Sequence, residues 1–322
     1  MHKADAAPST GTDDVRITAE IQAWVCSTPL QGLVTHFGGA WPDSDLTDVL
    51  RYLDDFSAHH WDFRGGRERP DAREPDLDPA TATLVLDAAA ALGLIHPVPP
   101  ARSAYAHLVV LGGLAHACVR RVAYAAHLLR AGLPLSGEVA VLGSFRPLSD
   151  WERRTLADAG LPADETEVDV LDTAVRRVFE VTAPAEQDGV DAGHPHYSWS
   201  SRTYRPDGLP PIRVLAAPSS EPGQRRAHTA DTQRFWAGHV RLAPDDKVLM
   251  VTAPIYVPFQ HCDALRTLAV PYGCAIDTVG VDPTLADLAV LPEQTLTPGR
   301  YLQEIRSAIR SMRALHNRLR PR

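Results

Sequence analysis

Residues equipped for chemistry gather in one stretch. "APSSEPGQRRAHTADTQRF", residues 217–235, holds Ser219, Ser220, Glu221, Arg225, Arg226, His228, Thr229 and Asp231 at the end of the apolar run "IRVLAA". A carboxylate in that company can serve as an acid/base or grip ribose hydroxyls. Arg225 and Arg226 can clamp an anion, because a guanidinium fork matches phosphate or carboxylate. Thr229 can add a donor from the start of the next helix. The competing reading is that Glu221 pairs with an arginine and the loop is solvated. Position decides between the two, so the elements that carry the stretch come next.

Short apolar runs bounded by Gly, Ser or Pro read as strands: "HLVVLGG" (107–113), "EVAVLGS" (138–144), "IRVLAAP" (212–218), "DKVLMVTAP" (246–254) and "AIDTVGV" (275–281). Helical patterns alternate with them. One stops at Gly132, one opens with a Ser149/Glu152 capping box, and one is capped by His228 or Thr229. Continuous apolar strands separated by helices mean buried parallel strands. The fold class is therefore α/β, a doubly wound, mostly parallel, Rossmann-like sheet of about five strands. Residues 16–100 read as an N-terminal helical lobe interrupted by the charged loop "RGGRERPDAREPDLDP", and 1–15 as a disordered tail. Residues 101–295 form the α/β domain, with 183–211 as a long loop insertion suited to a lid. Residues 296–322 form a basic amphipathic helix, either a docking surface or packed on the sheet with its arginines solvated.

Ligands of open α/β sheets sit outside the carboxyl ends of the strands. The first strand delivers Gly112 and Gly113 ahead of a helix, a geometry that brings an anion to backbone amides at the positive helix end. The alternative is a tight strand–helix turn, and "GGLAHA" lacks the third glycine of a dinucleotide fingerprint. The second strand delivers Ser144 and Arg146, the latter either an anion fork or a surface ion pair with the acidic helix beyond. The third delivers Ser219, Glu221 and the arginine pair. The fourth delivers Thr252 and, through "TAPIYVPFQH", Tyr256 and Gln260. Tyr256 can stack on a planar ligand, donate a proton, or simply pack. Glu221 and Tyr256 are thus the catalytic candidates. Gly112, Gly113, Ser144, Arg146, Ser219, Arg225, Arg226, Thr229, Thr252 and Gln260 are the ligand- or anion-binding candidates.

Composition removes several classes. The 322 residues carry 40 acidic against 32 basic side chains, a net charge of −8, which disfavours a nucleic-acid polymer as partner. No apolar run approaches the ~20 residues needed to span a bilayer, and the N-terminus has no signal-peptide pattern, so a soluble cytoplasmic protein is expected. Four dispersed cysteines fit reduced thiols rather than a zinc framework. The histidine pairs His59–His60 and His194/His196 lack metal-ligand spacing, so no metal is expected. Absence of GxSxG leaves a serine hydrolase unsupported. Cys262 beside His261 reads as a buried thiol rather than a nucleophile, since helix neighbours point apart.

"VVLGG", "VAVLGS", "SSEPGQRRAHTADT" and "VLMVTAPIYVPFQH" together resemble the SanA/YdcF/ElyC-like family over about residues 105–285. Gly112–Gly113, Gly143–Ser144, Glu221 with Thr229, and Thr252–Ala253 carry the resemblance. His228 stands where that family has Asn, and "APIYVP" replaces its serine–histidine turn. The resemblance implies a Rossmann-like site for a nucleotide-like or anionic ligand, with S-adenosylmethionine binding known for one member type. No motif requires a cofactor; S-adenosylmethionine or a nucleotide remains compatible. The expected activity is a metal-independent transferase or hydrolase acting on a nucleotide-like, adenosyl or phosphorylated small molecule. The alternatives are a non-catalytic ligand sensor or interaction protein, and a methyltransferase-like protein. The last is opposed by the lack of an acidic residue ending the second strand. Homo-oligomerisation stays open.

Overall fold

Strands apolar along their whole length must be covered on both faces, and a computed structural model shows how this chain does it. The structure describes residues 14–320 apart from 64, 66–73, 163, 286–287 and 289–294. Most of the expected tail and most of the charged loop before residue 74 thus lie outside the described residues.

The chain runs through α1 (Asp14–Val25), α2 (Thr28–His36), α3 (Leu46–His60) and α4 (Pro79–Ala91) into β1 (His107–Leu111), α5 (Ala115–Arg130), β2 (Val139–Gly143), α6 (Asp150–Asp158) and α7 (Glu167–Val178). A hairpin follows, β3 (Glu186–Val190) and β4 (Trp199–Tyr204), then β5 (Ile212–Ala216), α8 (Thr229–Val240) and β6 (Lys247–Thr252). A 3-10 turn, Pro254–Tyr256, opens α9 (Val257–Ala264), which continues through a π-helical turn, Leu265–Ala269, to Tyr272. β7 (Ala275–Gly280) and α10 (Pro298–Leu319) complete it. The seven-stranded sheet has the order β3-β4-β5-β2-β1-β6-β7. Its five parallel strands, counted along the chain, stand 3-2-1-4-5, the doubly wound order. Val110 pairs with Val141 and Val251, in the centre of the sheet.

The stretch 183–211 is not a structureless loop. Glu186–Val190 pairs antiparallel with Trp199–Tyr204, which pairs antiparallel with β5, so the insertion extends the sheet by two strands. β3 is exposed throughout, so it shows no apolar run for a sequence reading to find.

One sheet face carries α5, α6 and α7; the other carries α8, α9, α10 and the N-terminal helices, which share a single apolar core with it. α10 supplies Leu302, Ile305, Ile309, Met312 and Leu315 to that core. Its basic residues are partly spoken for: Arg306 bridges to Asp62 at 3.0 Å and Arg313 to Asp54 at 2.5 Å. Between the two readings of this helix, the structure selects packing. Among the described residues, no helix is long and apolar enough to cross a membrane.

If α10 is an integral part of the core, Ile305→Ala lowers unfolding stability by about 2–5 kcal/mol, the usual cost of such a cavity. Urea denaturation of the full chain measures it; a loss under about 0.5 kcal/mol, the level of an ordinary surface substitution, would show α10 to be dispensable packing.

Candidate carboxyl-edge site

The strand order reverses between β1 and β6, the place where doubly wound sheets accept ligands. Gly112 and Gly113 leave β1 here, and their missing side chains do create space. The chain fills that space itself. A Cβ on Gly112 would lie 2.6 Å from the Glu167 carboxylate, and one on Gly113 3.1 Å from the Arg121 guanidinium. Glu167 begins α7 and accepts from the Ser144 amide at 3.1 Å and the Ser144 hydroxyl at 2.7 Å. Arg121, 1% exposed, donates to the Leu111 and Gly112 carbonyls.

The positive end of α5 is also occupied. Leu114 at its N-cap has no capping side chain, and the Glu152 carboxylate accepts from the Ala115 amide at 3.0 Å instead. Glu152 meets Arg146 in a two-point pair, Nη1 to Oε2 at 2.9 Å and Nη2 to Oε1 at 2.8 Å. Arg146 Nη2 also donates to the Gly113 carbonyl at 2.8 Å. The α6 capping box adds the Ser149 amide to Glu152 at 2.9 Å. Burial works to raise the pKa of Glu152, but Arg146 and these amides outweigh it and pull it from 4.5 to about 2. Neighbouring His116, in the first turn of α5, is pushed down to about 4 by burial and by Arg121, so it is neutral at pH 7.

At the end of β5 the polar residues again serve one another. Arg225 donates to Glu221 at 2.7 Å, to Asp231 at 2.5 Å and to the Ser220 hydroxyl at 2.9 Å. The Ser219 hydroxyl accepts from the Glu221 amide at 3.0 Å. His228, not Thr229, is the N-cap of α8, in a reciprocal box with Asp231. Burial raises the Asp231 pKa, yet Arg225, Ser220 and His228 carry it down to about 2. The Glu221 side chain is 53% exposed. Of the two readings of this loop, an internally paired one prevails for Glu221 and Arg225.

The turn of the β3–β4 hairpin folds over this edge. The Ser219 amide donates to the His196 carbonyl at 2.8 Å, and His196 Nδ1 to the Pro222 carbonyl at 3.1 Å. Beneath it lies a chamber of about 30 Å³ between the ends of β2 and β5, with Ser144, Arg146, His196 and Arg226 in its walls. That volume holds about one water. Ser144, Arg146 and Arg226 are thus the predicted residues that meet around this chamber. Those of the β6 end stand apart: the Thr252 hydroxyl donates to Gln260 Oε1, both buried, and the Arg121 guanidinium lies over the Tyr256 ring, 5.7 Å from its centroid. The four cysteines are free, and burial raises the Cys262 pKa to about 12, as expected of an inert thiol. Among the described residues no group of three or more His, Cys, Asp or Glu side chains is placed to hold a metal ion.

Sequence reasoning missed Glu152, Glu167 and Arg121 as members of this edge. Glu152 had a signal: its capping box places a carboxylate six residues after Arg146. Arg121, in the middle of α5, had none.

Fold and edge define a Rossmann-like α/β protein with a helical N-terminal region packed on one sheet face and a carboxyl edge filled by its own charged side chains. Residues 8–93 match the family described as the Rv3785 N-terminal domain. Uncharacterized protein Rv3785 of Mycobacterium tuberculosis is 32% identical over 336 aligned positions, which cover 93% of this chain and 89% of the relative. Uncharacterized protein Mb3814 of Mycobacterium bovis matches to the same extent. The chain belongs to the Rv3785 family. The expected membership of the SanA/YdcF/ElyC-like family is thereby overturned: the matching family spans the N-terminal helices that the resemblance left out. No solved structure matches this chain.

The depressed pKa of Glu152 fixes a sign. Its contribution to stability is complete above pH ~4.5 and fades as pH falls toward ~2. Glu152→Gln should cost about 3–5 kcal/mol at pH 7, because Arg146 is left buried without its charge, and should flatten the acid limb of the stability–pH curve. Denaturant melts at pH 2.5, 4 and 7 test this; an unchanged acid limb would mean the pair does not control it.

Proposed function

We propose that the protein binds a small anionic molecule at the carboxyl edge and works by binding it, as a sensor or interaction protein, rather than by turning it over. The observation that carries the reading is the lining of the chamber. Ser144, Arg146, His196 and Arg226 place a hydroxyl, two guanidinium groups and an imidazole in its walls, whereas the two candidate catalytic residues, Glu221 and Tyr256, are not among them. Glu152 and Asp231, carboxylates of the chain, are both held near pKa 2 at this edge. The chamber holds about one water, so a phosphate or carboxylate group enters only as the hairpin turn lifts from the β5 loop, and it then competes with Glu167, Glu152 and the Pro222 carbonyl for the same donors. Glu221, paired with Arg225 on the exposed side, is poorly placed to move a proton there.

Calorimetry with inorganic phosphate, AMP and S-adenosylmethionine, paired with product analysis of the same mixtures, tests this. The expected result is binding of at least one probe without turnover. Arg226→Met weakens that binding by about tenfold or more, a loss of about 1.4 kcal/mol, and Glu221→Gln leaves it unchanged. Turnover abolished by Glu221→Gln would replace this reading with an enzyme. Silence from all three probes would remove the anion site.

A further inference from the structure

A larger, more open cleft lies away from this chamber. The β3–β4 hairpin extends the sheet past α7, the last helix on that face, and leaves a cleft of about 460 Å³ between the helix flank and the hairpin. Its lining shares no residue with the carboxyl-edge chamber. Asp169, Asp172, Thr173 and Arg176 recur at intervals of three and four, so they form one stripe along α7 facing the hairpin. Arg202 projects from β4 opposite them, with Gln187 as its cross-strand neighbour.

Charge is separated along this cleft. At the buried end, Asp172 accepts from the Tyr204 hydroxyl at 2.6 Å and forms ion pairs with Arg176 Nε at 2.9 Å and Arg202 Nη1 at 3.3 Å, while Arg176 Nε donates to the Tyr204 oxygen at 2.9 Å. One carboxylate thus holds two guanidinium groups in place. Arg176 Nη1 and Nη2 and Arg202 Nε and Nη2 have no protein partner among the described residues, and both side chains line the cleft. At the other end stand Asp164, Glu165 and Asp169. Asp164 is steadied by the Thr173 hydroxyl at 3.2 Å and Asp169 by Thr166, while the Glu165 carboxylate has no partner among the described residues. Burial pushes the Asp164 pKa upward against the Thr173 hydrogen bond, and Asp169 and Asp172 add to the rise. Asp169 and Arg176 are seven residues apart, about 10 Å along a helix axis.

We infer that the cleft between α7 and the β3–β4 hairpin binds a small zwitterion, with its ammonium end at Asp164, Glu165 and Asp169 and its carboxylate or phosphate end at Arg176 and Arg202. The volume lies within the range of small-molecule sites. A ligand carrying only one charge satisfies one end and leaves the other solvated. This site does not depend on the carboxyl-edge reading, and its probes carry no phosphate.

The test is calorimetric titration of the full chain with 6-aminohexanoate, whose charged ends stand at a comparable separation, against hexylamine and hexanoate. The zwitterion should bind about tenfold or more tighter than either half. Asp164→Asn and Arg202→Gln should each weaken it by about the same factor. Both variants should keep the wild-type melting temperature, since Asp172 retains Tyr204 and Arg176. Three results overturn the inference: no heat from 6-aminohexanoate, equal binding of hexylamine with no response to Arg202→Gln, or variants that fold normally and bind as the wild type does.

Discussion

The buried pair of Arg146 and Glu152 governs the geometry of the carboxyl edge. Arg146 is 14% and Glu152 1% exposed, so each would pay a large desolvation cost alone. They persist because every strong group nearby is directed at them: the Ala115 amide and the Ser149 amide toward the carboxylate, the Gly113 carbonyl toward the guanidinium. Four segments therefore meet at one ion pair: the ends of β1 and β2 and the first turns of α5 and α6. Moving any of them strands a buried charge.

The same physics that makes this edge of a doubly wound sheet attractive to ligand anions has been used here to hold the molecule's own carboxylates. Glycines after β1 admit Glu167 and Arg121, the α5 N-terminus receives Glu152, and the arginine after β5 takes Glu221 and Asp231. Residue types alone cannot tell these outcomes from ligand binding, because a phosphate and a glutamate ask for the same amides and guanidinium groups. What differs is the space left over.

The parallel strands were legible because burial on both faces writes an uninterrupted apolar run. The helix starts were legible because capping residues act locally, as at Ser149 and His228. The hairpin was hidden for the opposite reason. "EQDGV" is solvated on both faces, and the β-prone "WSSRTY" sits among Gly, Pro and His that read as loop. Within the candidate site, the strand ends could be located from the sequence, and so could pairings close in sequence, whereas partners distant in sequence could not. Arg225 with Glu221 is a local pairing that the spacing allowed; Arg121 beneath Gly113 is a packing consequence that no spacing announces. The family resemblance failed on the same ground. Glycine, serine and threonine at strand ends follow from the needs of this fold, so they recur without common descent, whereas the Rv3785 match runs through the N-terminal helices as well.

The hairpin that the sequence concealed is the element both cavities share. Its turn rests on the β5 loop through Ser219, and its strands floor the cleft beside α7. β4 is locked to β5 by a five-residue register, Ser200–Ala216 to Tyr204–Ile212, and β5 to β2 by another. Turn and strands must therefore move together or not at all, unless the turn pivots at residues 191–198, outside both strands. Because α7 begins at the buried Glu167 carboxylate beside Ser144 and ends beyond Arg176, it connects the same two cavities from the opposite side. A ligand seated in one cavity thus meets the other through two rigid elements, and linkage requires any influence between them to be reciprocal.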